Sequence, residues 1–282
     1  MMHRLKNIPD KKIKKPDFST KEGRGMMAYI LQKEFEYILN IDKDAETPFV
    51  KSVKDDFVQR FTKRIIENPE KKIMIGICGE SASGKTTICE HIKKSVDKYQ
   101  LPVEIISTDN YFNDISALIK ECGSFDKFLE SGYDLDAPSN FMTDQLKEDL
   151  KMLADGHDVM TPQYLINGSG VNVPHSLPAK SQKIIAVEGL AAMYDNVYDL
   201  FDIKIYIDID RDEQEERFLA RAASRNQNRE NALKQLKYIR EASEKYILPH
   251  KHKWDIIVNG TVSIPYFEQI IQYLYGVTNN FE

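Results

Sequence analysis

Apolar positions recur with two different spacings along the chain, and the spacing changes near residue 70. Upstream, Ile30, Leu31, Phe35, Ile38 and Leu39 fall at helical intervals and predict an amphipathic helix over 26–39. Val53, Phe57, Phe61 and Ile65 recur every four residues and predict a second helix. Each apolar face needs a cover, either the downstream residues or a second copy of the chain. Residues 1–70 are therefore expected to form an N-terminal helical extension. After Asn68-Pro69 the pattern alternates. Short apolar runs predict strands at 72–78, 103–107, 183–187, 203–209 and 255–258. Between them, helical patterns cover 85–96, 141–153 and 264–274, with a long helical stretch over 210–246 broken near Asn226. Ser139 or Asn140 is the expected cap of the 141–153 helix, and Gly156 its stop. Strands alternating with helices imply an α/β fold over 71–282, with a mainly parallel sheet covered by helices on both faces. Ligands of such sheets sit beyond the carboxyl ends of the strands, so those ends are where chemistry is expected.

The first strand ends in Gly79-Glu80-Ser81-Ala82-Ser83-Gly84-Lys85-Thr86, followed by Thr87. This is a complete G-x-x-x-x-G-K-[ST] loop between a strand and a helix, the context that gives the pattern its meaning. Glycines let backbone N–H groups curl round a polyphosphate, and the helix N-terminus adds partial positive charge. Residues Gly79 to Thr87 are the expected cradle of a nucleoside triphosphate such as ATP. Lys85 would reach the β- and γ-phosphates, and Thr86 would offer its hydroxyl to Mg²⁺.

Charge and cysteine usage narrow the remaining classes. A net charge of −5 gives no global attraction to nucleic acid or an anionic membrane. No apolar run approaches a bilayer span. The lysine-rich stretch 1–16 lacks the apolar stretch of a secretory signal and is expected to be a solvated tail. Three cysteines without metal spacing suit a reducing cytoplasm, with Cys78 and Cys89 as small core residues.

Two further strand ends carry acids. Asp109 follows the 103–107 strand in Ser-Thr-Asp-Asn-Tyr-Phe, and Glu188 ends the 183–187 strand. Either acid alone is a loop charge or a helix cap. Beside a phosphate loop, Asp109 becomes the candidate base for an acceptor hydroxyl and Glu188 the candidate metal ligand, with overlapping roles left open. Arg217, Arg221, Arg225 and Arg229 recur every four residues. They would share one face of a continuous helix, either pairing with nearby glutamates or closing as a lid over phosphates.

These motifs, in this order, resemble the phosphoribulokinase/uridine kinase family of P-loop kinases. So do the runs Tyr133-Asp-Leu-Asp-Ala-Pro-Ser-Asn-Phe141, Thr161-Pro-Gln-Tyr164, Ile184 to Leu190, and Ile247-Leu-Pro249. Pantothenate kinases of the bacterial type look similar at the same places. The resemblance spans 71–277 and implies transfer of the ATP γ-phosphate, with Mg²⁺, to a hydroxyl of a small metabolite. It implies Asp109, Lys85, Arg217 and Arg221 as catalytic residues, and Thr86, Asp109 and Glu188 near the metal. Asp136, Tyr164, Tyr111 and Phe112 would meet the acceptor, with Asp134 a rival to Asp136. Two departures bear on the acceptor. Leu165 stands where uridine kinases carry an acid, and Ser169 near their base-contacting histidine. A uridine-like nucleoside is the first expectation; a sugar phosphate, polyol or pantothenate-like acceptor is the alternative. A reading of another class is a nucleotide-gated binding protein whose N-terminal helices engage a partner, which would need neither Asp136 nor Tyr164.

Overall fold

The structure, a computed structural model, describes residues 20–100, 102–260 and 265–279. The basic stretch 1–16, the turn residue Leu101 and the first residue of the predicted closing helix lie outside these.

The chain opens with α1 (Lys21–Leu39), capped by Thr20, whose hydroxyl accepts from the Gly23 N–H at 3.0 Å. Strand β1 (Val50–Val53) and helix α2 (Phe57–Glu67) follow. Val53 therefore closes a strand rather than opening the second helix, and residues 20–67 are not purely helical. From there the order is β2 (Ile73–Gly79), α3 (Lys85–Tyr99) and β3 (Val103–Ser107), then the short helices α4 (Ser116–Cys122) and α5 (Phe125–Glu130). Helix α6 (Thr143–Ala154) precedes a hairpin of β4 (Val159–Tyr164) and β5 (Asn172–Ala179). The chain continues through β6 (Ile184–Glu188), α7 (Asp195–Tyr198) and β7 (Ile203–Asp208). Helices α8 (Arg211–Ser224) and α9 (Arg229–Tyr246), strand β8 (Ile256–Asn259) and α10 (Pro265–Asn279) complete it.

Six strands form one sheet in the order β1-β8-β7-β2-β6-β3. All pairs are parallel except β1 with β8. Strand β2 lies at the centre, and its alternation explains why both faces are buried. Ile73, Ile75 and Ile77 enter a core shared with α1, α2, α3 and α10, while Met74 and Cys78 enter a second core with α6 and α7. Cys78 and Cys89 are buried and unpaired, and burial pushes the Cys78 thiol up to about 11.

The hydrophobic core runs across residue 70. Phe35 is fully buried, with its ring stacked on Tyr273 at 4.7 Å and edge-on to Phe57 and Phe61. The inner face of α1 thus finds its cover within this chain, on α2 and α10, while Ile30 is exposed. Phe35→Ala should cost about 3–5 kcal/mol, the range for truncating a buried aromatic, read by denaturant unfolding. A loss below about 1 kcal/mol, the level of a surface substitution, would show that α1 only rests on the domain.

Two further sequence expectations need correction. Helix α6 begins at Thr143, and Met142 precedes it without a side-chain cap. Asn140 instead accepts from the Tyr133 hydroxyl at 2.5 Å and donates to the carbonyls of Asp134 and Leu135. Asn226 is left-handed at φ 57 and separates α8 from α9. Arg225 is consequently the cap of α8 and Arg229 opens α9, so the four arginines do not share one helix.

Candidate active site

At the carboxyl ends of β2, β3 and β6 lies a cavity of about 1150 Å³. One end is the phosphate loop: Gly79, Ser81, Ala82, Gly84, Lys85, Thr86 and Thr87 face it. Gly84 caps α3 at φ 104, a left-handed geometry that favours glycine, and aims the first turn of α3 into the cavity. The Lys85 ammonium donates to the carbonyls of Gly79 at 2.8 Å and Glu80 at 2.9 Å. Two loop residues do not present side chains to the cavity. Glu80 turns into the protein to meet Arg211 and Ser243, and Ser83 is fully buried under the loop.

The acids converge as expected. Glu188 ends β6 beside Ser107 of β3, whose hydroxyl donates to it at 2.6 Å. Asp109 occupies the single 3₁₀ turn that follows β3. Gly189 permits this approach, since a Cβ at its φ of 123 would overlap the Thr108 side chain. Asp109 stands on the cavity floor, open to solvent yet enclosed by protein on most sides. Enclosure raises its pKa against the opposing pull of Lys85 and Arg221. Burial also raises Glu188, and the nearby Asp109 charge adds to the effect. Asp136 is pushed up to about 6 by burial, with Asp109 and Asp134 contributing repulsion. Its loop is stapled by Asn140 and by the Tyr194 hydroxyl, which donates to the Asp136 carbonyl at 2.8 Å. Lys85 is the cation that stabilises all three carboxylates.

Asp134 also lines the cavity, but its Oδ2 accepts from Lys245 at 2.7 Å and from the Tyr246 hydroxyl at 2.6 Å. It fastens α9 to the loop that carries Asp136. Phe112 faces the cavity, and Tyr164 packs behind it at 5.3 Å between ring centroids. Tyr111 does not reach the site: its ring is fully buried, and its hydroxyl donates to Asp149 at 2.8 Å. Arg217 and Arg221 both line the cavity. Arg217 pairs with Glu213 at 2.6 Å, and Arg221 donates to the Ser81 hydroxyl at 3.0 Å over the Phe218 ring. Tyr238, Glu241 and Lys245 of α9 form a wall that spacing did not reveal, because each looks like an ordinary position of an amphipathic helix. No residue of the β4–β5 hairpin lines the cavity.

Thr86, Asp109 and Glu188 offer the hard oxygen donors that suit Mg²⁺. The Asp109 charge raises the pKa of Glu188, while Lys85 acts on both acids and Arg221 on Asp109. Among the described residues, no group of three or more His, Cys, Asp or Glu could hold a metal alone.

A P-loop strand, loop and helix feeding a cavity with an acid opposite the lysine define the class of P-loop nucleotide-binding proteins. The chain belongs to the phosphoribulokinase/uridine kinase family, whose match covers residues 74–263. It is 30% identical over 205 residues to uridine-cytidine kinase B of Dictyostelium discoideum, covering 71% of this chain and 80% of that protein. With a uridine kinase of Staphylococcus aureus it shares 34% identity over 188 residues, 66% of this chain and 86% of that protein. A solved structure from Silicibacter sp. TM1040 superposes with a TM-score of 0.55. At 16% identity, over 71% of this chain and 95% of that one, it speaks for the fold alone. The chain is a small-molecule kinase, with ATP the donor that the family implies. Among the described residues, no helix is long and apolar enough to cross a membrane.

Proposed function

We propose that this kinase moves the γ-phosphate of ATP onto a hydroxyl of a uridine- or cytidine-like nucleoside. The observation that carries the reading is that the phosphate loop and the pair Asp109 and Asp136 face the space of one cavity. Kinship with enzymes named as uridine and uridine-cytidine kinases supports the nucleoside. Lys85 holds the β- and γ-phosphates at the loop, and Arg217 and Arg221 neutralise charge that spreads over the transferring group. Asp109 takes the proton of the attacking hydroxyl. Asp136 accepts from a neighbouring hydroxyl of the acceptor, while Tyr164 supports the Phe112 wall. Thr86, Asp109 and Glu188 would hold Mg²⁺, which when bound offsets charge on the triphosphate.

A second reading, a sugar, polyol or pantothenate-like acceptor without a base, is favoured by one observation. Leu165 and Ser169 lie on a hairpin that contributes nothing to the cavity lining. Initial rates with uridine, cytidine, free sugars and polyols separate the two. The nucleoside reading predicts the highest kcat/KM for a pyrimidine nucleoside; equal or better rates with an acceptor lacking a base would replace it.

The Asp136 pKa of about 6 gives a further prediction. Ionised Asp136 accepts two hydroxyl hydrogen bonds, and its protonated form loses acceptor capacity. Acceptor KM should therefore rise as pH falls through about 6, with the KM for ATP little changed. In Asp136→Asn that inflection should vanish, with acceptor KM raised by about tenfold or more, the loss of a charge-assisted hydrogen bond.

A further inference from the structure

Glu80 sits inside the phosphate loop, yet its carboxylate is buried and points away from the cavity. An anion at this place would repel a triphosphate unless its charge were matched. Here it is matched: Oε1 accepts from Arg211 Nη1 at 2.9 Å and from the Ser243 hydroxyl at 2.6 Å. Arg211 is the first residue of α8, and Ser243 lies in the last turn of α9. The next loop residue is held as well. Gln214, fully buried, donates from Nε2 to the Ser81 carbonyl at 3.2 Å. Its Oε1 accepts from Arg240 at 3.0 Å, and Arg240 also donates to the Arg211 carbonyl at 2.6 Å. Ala82 then packs against a small core made only by the helical pair: Phe218, Ala222, Ala232 and Leu236. Glu80 and Ser81 thus grip the base of the arginine-bearing hairpin, while Ala82 packs nearer its tip.

We infer that Glu80 is a positioning residue for phosphoryl transfer, fixing α8 against the phosphate loop and so setting where Arg221 stands. This rests on the proposed action of Arg221 on the phosphates. The lever is long. Arg211 and Arg221 are separated by about 15 Å of helix at 1.5 Å per residue. A tilt of about 4° at the anchored end would shift Arg221 by about 1 Å, and a misplacement of that size can cost ~10²-fold in rate. Arg221 touches the same loop one residue on, at the Ser81 hydroxyl, so loop and arginine keep a common register.

Steady-state kinetics on Glu80→Gln, Arg221→Ala and the double variant test the inference. The glutamine oxygen can still accept from Ser243, and Arg211, 39% exposed, can be hydrated, so folding should survive. Glu80→Gln should lower kcat by ~10–100-fold with the acceptor KM nearly unchanged. In the Arg221→Ala background the same change should cost less than about threefold, because the lever no longer carries its arginine. Equal losses in both backgrounds would reduce Glu80 to a structural ion pair and overturn the inference, as would full activity of Glu80→Gln. Should Arg221→Ala alone leave kcat intact, the proposed action of Arg221 fails first, and this inference with it. Arg211→Gln, which breaks the pair from the other side, passes through the same cycle if Glu80→Gln does not fold.

Discussion

Asp109→Asn is expected to bind ATP, measured without Mg²⁺, within a few-fold of the wild type while losing phosphoryl transfer by ~10²–10⁴, the usual contribution of a positioned general base. The expectation follows from where the residue stands. The turn after β3 lifts Asp109 onto the cavity floor, and Gly189 clears the space beside it. Enclosure raises its pKa, while Lys85 and Arg221 hold it back towards the ionised form. An amide of the same shape keeps the packing and removes both the charge and the basic oxygen. Binding of the nucleotide depends mainly on the loop amides and Lys85, so it should persist. Turnover near wild-type in Asp109→Asn would remove this residue from the mechanism.

Lys85→Ala should lower kcat/KM by ~10²–10³, the range for deleting one preorganised charge-stabilising donor. Two consequences add up. The ammonium that bridges the Gly79 and Glu80 carbonyls disappears, leaving the loop mouth without its clasp. The cation that lowers the pKa of Asp109, Asp136 and Glu188 disappears with it. Without Lys85 all three carboxylates hold their protons to higher pH. The acid limb of the rate profile should therefore move upward in residual activity. An unshifted acid limb would mean that the lysine acts on the phosphates alone. Lys85→Arg retains the charge and should restore the limb more than the rate, since a planar guanidinium does not fit an ammonium site.

Much of the sheet was legible because its inner strands are buried on both faces and spell continuous Ile/Val-rich runs. The break between α8 and α9 was legible at Asn226, a residue type that tolerates the left-handed turn found there. Strand β1 was not. Its four residues are too short for an alternation, and Val53 fits the helical spacing of Phe57 and Phe61 by coincidence. The β4–β5 hairpin was hidden by Pro162, Pro174 and Pro178, which argue against strands inside a sheet. A two-stranded ribbon consists of edges only, and there proline is tolerated.

At the site, residues tied to strand ends were readable: the phosphate loop, Asp109 and Glu188 all follow buried strands. Asp136 and Phe112 came from the family resemblance and also face the cavity. Tyr111 failed because the turn that exposes Asp109 rotates the residue two positions later inward, onto Asp149. Glu80 failed for a different reason. Motif membership places its backbone at the phosphates but says nothing of its side chain, and only the folded hairpin supplies Arg211 and Ser243 to draw it away.

The central claim is that one cavity brings a triphosphate end and an acceptor hydroxyl together at Asp109. Incubation with γ-labelled ATP, Mg²⁺ and a mixture of pyrimidine nucleosides, sugars and polyols tests it most directly. The account predicts that label passes to one organic acceptor and that Asp109→Asn abolishes this passage. Label recovered only as inorganic phosphate, whichever acceptor is supplied, would contradict it.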